Sequence, residues 1–311
     1  MPPTIVITGA AGLVGQNLIL RLKAHQYTNI VAIDKHPANT AILRQLHPDI
    51  RIIEANLARA EGWQEAVATC DVVVCAHAQI GGIDRIAYVE NNVVATRRLI
   101  EIAKTNPKAY IVHISSSVVK SVASDWYTET KEEQERLIAD SGIPCVVLRP
   151  TLMFGWFDRK HIGWLARFMQ RVPIFPIPGH GRYLRQPLYA GDFCDIIISC
   201  VVHQPNNGIY NISGQEKIEY IDLMRTVRDI CGAKAAILPI PYWMFWGLLK
   251  LYALFDRDPP FTTKQLESFV TRDIFEGIDW PGIFGVNATP LRTALQQTYA
   301  DPVYSKIVLK F

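Results

Sequence analysis

Several features that would set a chain apart from an ordinary globular protein are absent from this sequence. The six cysteines include no Cys-x-x-Cys pair and lie mostly in apolar runs, which excludes a thiol redox motif and predicts reduced, buried thiols in a cytoplasmic protein. The eight histidines form no cluster with metal-ligand spacing, so no metal is expected. A formal net charge of +3 over 311 residues is too small to favour a nucleic-acid partner.

Long apolar runs and targeting signals are also missing. The most apolar stretch, residues 241–255, would form a helix of about 22 Å at 1.5 Å per residue, short of the roughly 30 Å hydrocarbon core of a membrane. Met1-Pro2-Pro3 leads directly into a strand pattern and predicts no signal peptide. With 49% hydrophobic and 20% charged residues, the chain is expected to bury a large core in one big domain and one smaller domain.

What the sequence does contain is a strand that runs straight into three glycines. Residues 4–8 are short and β-branched, as in a strand buried on both faces of a parallel sheet, and apolar residues at helical spacing follow the glycines. At such a turn Gly9 permits the tight bend, Gly12 leaves room for a pyrophosphate, and Gly15 lets helix and strand pack closely. The amides and dipole of the helix N-terminus favour phosphate charge.

An acidic residue follows at the distance that a dinucleotide site requires. The next strand, residues 30–33, ends in Asp34, about 20 residues past the turn, where a carboxylate can hold the adenosine ribose hydroxyls. Asp34 would repel a 2′-phosphate, whereas Lys35 and His36 beside it would attract one. We therefore predict NAD as the cofactor, with NADP as the less favoured alternative.

Strand and helix patterns alternate up to Pro150, which predicts a doubly wound parallel sheet. The predicted elements are strand Asp71 to Ala76, helix Asn92 to Lys104, strand Ala109 to Ile114, helix Tyr127 to Ala139 and strand Cys145 to Leu148. Aromatic residues and prolines at irregular spacing follow. We expect residues 1–150 to form an NAD-binding domain, to which 187–213 returns, and residues 151–311 to form mainly a substrate domain.

Polar side chains at one strand end and the next helix start are candidates for catalysis. Ser115-Ser116-Ser117 closes the predicted strand, and Tyr127 and Lys131 share one face of the helix after it. An ammonium beside the phenol would lower its pKa from about 10 toward the working pH. A serine hydroxyl at the strand end would orient the same substrate oxygen, so the set suits the oxidation of an alcohol.

With these residues the sequence resembles the extended short-chain dehydrogenase/reductase family, whose best-known members epimerise, dehydrate or reduce nucleotide sugars. The matching residues are Gly9 to Gly15, Asp34, Asp71 to Ala78, Asn92-Val93, Ser115 to Ser117, Tyr127 with Lys131, Leu148-Arg149-Pro150, Phe154-Gly155, Gly179 to Gly181, Arg185 to Asp192 and Tyr210 to Gly214. The resemblance implies an α/β fold, a Rossmann-type doubly wound parallel sheet with a smaller C-terminal substrate domain.

The resemblance also implies roles for single residues. Tyr127 is the expected catalytic base, Lys131 also grips the nicotinamide ribose, and Ser117 or Ser116 orients the substrate. Cofactor contacts are expected at Gly9, Ala11, Gly12, Leu13, Val14, Gly15, Asp34, Lys35, Asn56, Leu57, Ala76, His77, Ala78, Asn92, Ser115, Tyr127, Lys131 and Pro150. Substrate contacts are expected at Thr151, Phe154 and Arg185, the arginine facing a substrate diphosphate.

Departures from the family pattern narrow the expected reaction. Dehydratases of the family carry an acidic pair after the serine, whereas Ser117 is followed by Val118-Val119-Lys120, so dehydration is not expected. The gap between Ser117 and Tyr127 is shorter than is usual. Asn56 stands where an aspartate usually touches adenine, and it offers a hydrogen bond without a charge.

Three classes of function fit these residues. The first is an NAD-dependent epimerase or 4-keto reductase acting on a sugar hydroxyl of a nucleotide sugar or of a lipid-linked sugar diphosphate. The second is a hydroxysteroid-type alcohol dehydrogenase, and the third is a non-catalytic NAD-binding scaffold or accessory subunit. The presence of both Tyr127 and Lys131 argues against a scaffold, and Arg185 argues against the dehydrogenase, so we favour the first.

The apolar stretch 241–255 has to be covered if it forms a helix, since it is apolar nearly all round and Lys250 is its only charge. Aromatic stretches are most often buried in a core or at a subunit contact, so a core position or a homodimer interface is the first expectation. The alternative is peripheral docking on the cytoplasmic face of a membrane, where two tryptophans and two tyrosines would suit the headgroup region.

Overall fold

The structure is a computed structural model. It describes residues 2–82, 84–120, 125–255 and 277–310, and for residues 252–255 it describes the backbone only.

Seven parallel strands form the central sheet, in the order β3-β2-β1-β4-β5-β6-β11. The strands are β1 (Ile5–Thr8), β2 (Ile30–Asp34), β3 (Arg51–Glu54), β4 (Val72–Cys75), β5 (Tyr110–Ile114), β6 (Cys145–Pro150) and β11 (Gly208–Ile212). The predicted doubly wound parallel sheet is thereby confirmed. Strand order reverses between β1 and β4, and open sheets of this kind bind ligands at that point, beyond the carboxyl ends of their strands.

Alternate residues of the central strands pack into two different cores. In β1, Ile5 and Ile7 join a core that includes residues of two helices, α1 (Leu13–Ala24) and α8 (Ala190–His203). Val6 points the other way and joins a second core, because successive side chains of a strand lie on opposite faces of the sheet. A strand that is buried on both faces needs an unbroken apolar sequence, which is what β1 and β4 have.

Five further helices connect the strands of this half: α2 (Pro37–Leu46), α3 (Gln64–Thr69), α4 (Arg85–Tyr88), α5 (Ala95–Ala103) and α6 (Trp126–Ala139). A π-helical turn, Val89–Val94, joins α4 to α5. Helical backbone therefore begins before the predicted start at Asn92. The Asp84 carboxylate explains the earlier start, since it accepts a hydrogen bond from the Ile86 amide at 2.9 Å and caps α4.

Small elements beyond β6 build a third core. Their two-stranded sheets are β7 (Met153–Phe154) with β10 (Leu188–Tyr189), β9 (Leu184–Arg185) with β12 (Ile218–Glu219), and β8 (Ile174–Pro178) with β13 (Ala236–Ile240). The helices are α7 (Ile162–Met169), α9 (Tyr220–Ile230), α10 (Tyr242–Phe255) and two short C-terminal helices, Trp280–Phe284 and Leu291–Tyr299. No helix in the described ranges combines the length and the apolarity needed to cross a bilayer.

The chain returns to the large sheet after β10. Helix α8 packs along α1, where Arg21 forms an ion pair with Asp195 at 3.1 Å. Strand β11 then adds to the edge of the sheet beside β6. One covering helix and one strand of the central sheet thus come from beyond residue 187.

Candidate active site

The predicted site residues follow the carboxyl ends of parallel strands, which lie at one edge of the sheet. Strand β1 ends at Thr8, β2 at Asp34, β4 at Cys75, β5 at Ile114 and β6 at Pro150. The register pairs Thr8 with Cys75 on one side and with Ile33 on the other. Loops that leave these ends therefore meet above the switch point between β1 and β4.

The glycine turn between β1 and α1 leaves no room for side chains at two of its positions. Gly9 has a φ of +66°, and a Cβ there would lie 2.7 Å from the carbonyl oxygen of Ala76. A Cβ on Gly15 would lie 2.5 Å from the Cα of Ala10, so α1 could not pack as closely on β1. Helix α1 begins after Gly12 without a side-chain cap, and the amides of Leu13, Val14 and Gly15 in its first turn are available to an anion.

The Asp34 carboxylate is fixed beside this turn. One oxygen accepts a hydrogen bond from the Ala11 amide at 3.0 Å and the other from the His36 amide at 2.9 Å. Burial raises the pKa of Asp34, and the two amide bonds partly offset that rise. The carboxylate thus links the end of β2 to the glycine turn.

The two basic residues that follow Asp34 are engaged by protein groups. Lys35 Nζ donates to the side-chain oxygen of Asn91 at 2.6 Å, and burial lowers the pKa of this lysine. His36 caps α2, where its Nδ1 accepts from the Asn39 amide at 3.4 Å. Both side chains are therefore engaged within the protein.

The loop after β3 carries Asn56 and Leu57. The Asn56 side-chain oxygen accepts from the Ala58 amide at 2.9 Å, so its side-chain amide is the group that can donate to a ligand. Its backbone amide donates to the Glu61 carboxylate at 2.6 Å, a contact that the sequence did not indicate. Leu57 is buried beneath the loop.

Two predicted cofactor residues, His77 and Asn92, brace the loop that follows β4 and carries Ala76 and Ala78. His77 lies between Thr8 and Thr96, 2.7 Å and 3.0 Å from their hydroxyl oxygens, and burial lowers its pKa to about 3. The imidazole is therefore neutral at physiological pH.

Asn92 ties the same loop to α6. Its side-chain oxygen accepts from the Gln79 amide at 2.6 Å, and its side-chain amide donates to the Thr130 hydroxyl at 2.9 Å. Thr130 lies one position before Lys131 on the helix. The two halves of the candidate site are thus connected through a buried asparagine.

The structure brings Tyr127 and Ser116 into contact at the start of α6. A hydrogen bond joins the two side chains, so Ser116 is the serine that meets the phenol, and Ser117 is buried in a 3₁₀ turn, Ser117–Lys120. The Asp125 carboxylate caps α6 by accepting from the Thr128 amide at 2.8 Å and so fixes the direction in which Tyr127 leaves the helix. Ser115 precedes them and has a buried hydroxyl without a hydrogen-bond partner among the described residues.

Lys131 is completely buried and lies one helical turn after Tyr127. Its Nζ donates to the carbonyl oxygen of Ile114 at 2.8 Å. Burial lowers the pKa of Lys131 to about 7, although the nearby Glu135 carboxylate raises it. The ammonium is thus held at the end of β5, and its charge is easily lost.

The pKa of Tyr127 departs from the sequence-based expectation. Burial raises it to about 12, and the hydrogen bond with Ser116 offsets only part of that rise. We expected Lys131 to lower it, and that was wrong for this structure, because the loss of water around the phenol outweighs the other contributions. The sequence could not reveal this, since it does not give the depth at which the first turn of α6 is buried.

Glu135 and Arg149 form a second feature that sequence reasoning missed. Arg149 Nε lies 2.8 Å from Glu135 Oε1, and both side chains are largely buried. The pair joins α6 to β6 one helical turn beyond Lys131. The available signal was the spacing of Tyr127, Lys131 and Glu135, four residues apart on one helical face.

Residues predicted to contact substrate occupy different environments. The Thr151 amide donates to the Ile212 carbonyl at 2.9 Å, and its buried hydroxyl has no partner among the described residues. Phe154 is fully buried and packs on the ring of Tyr189, so it supports the site from within the core. Arg185 is 9% exposed and its guanidinium lies 4.9 Å from the centre of the Tyr183 ring.

Comparison with known proteins identifies similar chains. A model described as the NAD dependent epimerase/dehydratase family matches residues 5–213, more than half of the chain. The chain is 26% identical over 267 residues to an uncharacterized UDP-glucose epimerase of Bacillus subtilis, covering 75% of this chain and 84% of that protein. It is 22% identical over 283 residues to a UDP-glucose 4-epimerase of Vibrio cholerae, covering 82% of this chain and 84% of that protein.

A solved structure shares the fold over nearly the whole length. The UDP-glucuronic acid 4-epimerase of Bacillus cereus in complex with NAD superposes with a TM-score of 0.73 at 21% identity, covering 97% of this chain and 96% of that one. The region that the family model matches, residues 5–213, includes the glycine turn, Asp34, Tyr127 and Lys131.

Proposed function

The chain belongs to the NAD dependent epimerase/dehydratase family, and on that premise we propose that it binds NAD and acts on a hydroxyl group of a sugar that carries a diphosphate. The substrate is a nucleotide sugar or a lipid-linked sugar diphosphate. The reaction is epimerisation or, if the cofactor is released after each turnover, reduction of a 4-keto sugar. The contact between Ser116 and Tyr127, one turn from Lys131, is the observation that carries the proposal.

The glycine turn and Asp34 fit a dinucleotide. A side chain at Gly9 or Gly15 would collide with backbone, whereas around Gly12 a Cβ would meet only the Gly9 carbonyl oxygen, at 3.2 Å. That leaves space over the first amides of α1 for a pyrophosphate. The Asp34 carboxylate suits the two hydroxyls of an adenosine ribose and repels a 2′-phosphate, and Lys35 is turned toward Asn91. These contacts favour NAD over NADP.

Held by the glycine turn and Asp34, NAD would supply the acceptor and donor for hydride exchange with the sugar carbon. The residues of this chain handle the proton and the orientation. Ser116 holds the substrate hydroxyl toward Tyr127, and the ionised phenol of Tyr127 removes its proton. Since the pKa of Tyr127 is about 12, the phenolate needs a neighbouring positive charge, which Lys131 supplies in its protonated form.

Arg185 supports a diphosphate-bearing substrate. A guanidinium can bind two phosphate oxygens at once, and the stacking of Arg185 on Tyr183 holds that group in a fixed plane. The short sheet β9–β12 carries this residue, away from the glycine turn. We assign Arg185 to the substrate and the first turn of α1 to the cofactor.

Substitution of Tyr127 by phenylalanine tests the assignment of the base. We expect Tyr127→Phe to keep the fold and NAD binding and to lower turnover by about 100- to 10,000-fold, the usual loss when a positioned general base is removed. Turnover is measured with UDP-glucose and UDP-glucuronic acid, and Tyr242→Phe on α10 serves as the matched control. Equal turnover in Tyr127→Phe and in the parent enzyme would refute the assignment.

The amount of NAD that the purified protein carries separates the two reactions. An epimerase must keep its cofactor between the two hydride transfers, so stoichiometric NAD is expected after purification. A reductase exchanges its cofactor and would be isolated without it. Turnover of hydroxysteroids but of no nucleotide sugar would favour the dehydrogenase alternative, and NAD binding without any turnover would favour a scaffold.

A further inference from the structure

Exposed apolar side chains concentrate on three neighbouring elements. Sixteen large hydrophobic residues are exposed in the described part of the chain, and eight of them belong to α10, β8 and β13. We call this set the α10 face; its members are Ile174, Leu238, Tyr242, Trp243, Met244, Trp246, Leu248 and Leu251. Trp243, at 73%, is the most exposed of all sixteen.

The three elements that form the α10 face adjoin one another in the fold. Strands β8 and β13 pair in parallel over five residues, and Ile174 lies opposite Ala236. Helix α10 starts after Pro241, directly beyond the end of β13, and contacts β8. A surface patch of this extent marks a site where another apolar phase or molecule binds.

The two chain segments that contain β8, β13 and α10 carry charges of one sign. Residues 159–191 and 230–255, which include α7, β8, β13 and α10, contain eight arginines and lysines and no aspartate or glutamate. The whole chain, by contrast, is nearly balanced, with 32 basic and 29 acidic residues. A patch that is both apolar and free of acidic residues suits an anionic surface.

Four of these cations are exposed at the margins of the face. Arg171 precedes β8 and Lys234 precedes β13, so the two lie at the same end of the parallel strand pair. Arg182 follows the opposite end, where Gly179 bonds to Ile240. Lys250 lies on α10 itself, with its Nζ 5.1 Å from the centre of the Trp246 ring.

The aromatic composition of the helix fits the headgroup layer of a bilayer better than its interior. Tyr242, Trp243 and Trp246 have rings with one polar group each, which are favoured at the membrane–water boundary. Lys250 can lay its apolar stem along Trp246 and extend its ammonium toward lipid phosphates. Fourteen residues of helix span about 21 Å at 1.5 Å per residue, so the helix can lie in the boundary but cannot cross the roughly 30 Å core.

We propose that the α10 face docks this protein peripherally on the headgroup layer of an anionic bilayer. The apolar and aromatic side chains insert between headgroups, and the marginal cations contact lipid phosphates. Docking does not depend on the sugar chemistry proposed above, and its test uses no substrate. The two proposals can therefore fail separately.

Flotation of the full-length protein with lipid vesicles tests the docking. We expect the protein to float with vesicles of phosphatidylcholine containing 30% phosphatidylglycerol, a composition chosen for the test, and to stay at the bottom of the gradient with phosphatidylcholine alone. The double variant Trp243→Ala/Trp246→Ala should reduce the floating fraction about tenfold or more, since it removes the two largest inserted side chains. Ile209→Ala/Val303→Ala, which removes two exposed apolar side chains elsewhere, is the matched control and should float like the parent.

A charge variant separates the electrostatic contribution. Arg171→Gln/Lys234→Gln should shift the vesicle binding curve to higher lipid concentration, whereas Lys104→Gln/Lys108→Gln on another surface should not. Parent protein left at the bottom with anionic vesicles would overturn the proposal. So would a tryptophan variant that floats unchanged, or a parent dimer that the tryptophan variant dissociates in sedimentation velocity, since a second copy would then cover the face.

Discussion

The side chains closest to the proposed chemistry are held by the protein in a state that is not yet reactive. Lys131 donates to the Ile114 carbonyl and has a pKa of about 7, and Tyr127 has a pKa of about 12. Both values follow from burial, which penalises the charged form of each group. Two buried titratable groups with shifted pKa values lie side by side here, as is typical of functional sites.

The pKa of Lys131 predicts how the stability of the cofactor-free protein changes with pH. An unfolded lysine keeps its proton to about pH 10.4, whereas folded Lys131 loses it near 7. Between these values the unfolded state binds more protons, so the contribution of this residue to the free energy of unfolding rises with pH. We expect the melting temperature of the parent to rise relative to that of Lys131→Met as the pH is raised from 7 to 9.5.

Thermal melts of both proteins across this range provide the measurement. Comparing the parent with Lys131→Met cancels the titration of the buried thiols, which both proteins share. A difference in melting temperature that stays constant with pH would mean that Lys131 keeps its charge in the folded state.

Arg185 gives a residue-scale test of the substrate class. We expect Arg185→Ala to raise KM for a nucleotide sugar about tenfold or more, with kcat and NAD affinity little changed, because a charged contact far from the reacting carbon acts mainly on binding. Arg182→Ala, three residues earlier and exposed, is the control. An unchanged KM for a nucleotide sugar that the parent converts would indicate a substrate without a diphosphate.

At the scale of single elements, α1 depends on how closely it approaches β1. A Cβ on Gly15 would lie 2.5 Å from Ala10 Cα, and backbone at that distance cannot move aside without shifting the helix. We expect Gly15→Ala to lower the free energy of unfolding by about 1–3 kcal/mol, as overpacking does, and to weaken NAD binding.

The matched control for this substitution is Gly247→Ala on α10. A Cβ there would meet no atom within 4 Å, and alanine favours a helix interior over glycine by about 0.5–1 kcal/mol. Denaturant melts and NAD titrations of both variants give the comparison. Equal stabilities would show that the close packing of α1 on β1 contributes nothing.

Elements could be predicted from the sequence where their apolar pattern is continuous. β1, β2, β4, β5 and β6 are buried on both faces and are read directly from their valines and isoleucines. Strand β3 was not singled out, because Arg51–Glu54 lies at the edge of the sheet and has only two apolar residues, flanked by a charged residue on each side. The two-residue strands β7, β9, β10 and β12 are too short to carry a periodic signal.

The candidate site was predictable to the extent that its residues follow strand ends. Asp34 and Ser116 were predicted in this way, since parallel strands bring their carboxyl ends to one edge, and Tyr127 was predicted from its position at the start of the next helix. Contacts that depend on how deeply side chains are packed, such as the Glu135–Arg149 pair, were not predicted. Solvation is a property of the folded chain, and a linear pattern does not report it.

At the scale of the whole molecule, the helix that packs on α1 and completes its core, α8, comes late in the chain. Leu18, Ile19 and Leu22 of α1 share their core with Phe193, Ile197 and other residues of α8. Arg21 and Asp195 pair across the same helix contact. A fragment that ends at Pro150 would contain β1 and α1 with one apolar face uncovered.

This order has a consequence for synthesis on the ribosome. Chains of this kind begin to fold from the N-terminus as they emerge, at about 5–20 residues per second. The face of α1 that α8 covers is complete more than 150 residues before α8 ends at His203, so it stays open to other proteins for roughly ten seconds or more at these rates. Nascent chains that are held or shielded during that interval would reach the folded state, and slow translation between Pro150 and Ala190 would favour their loss to aggregation.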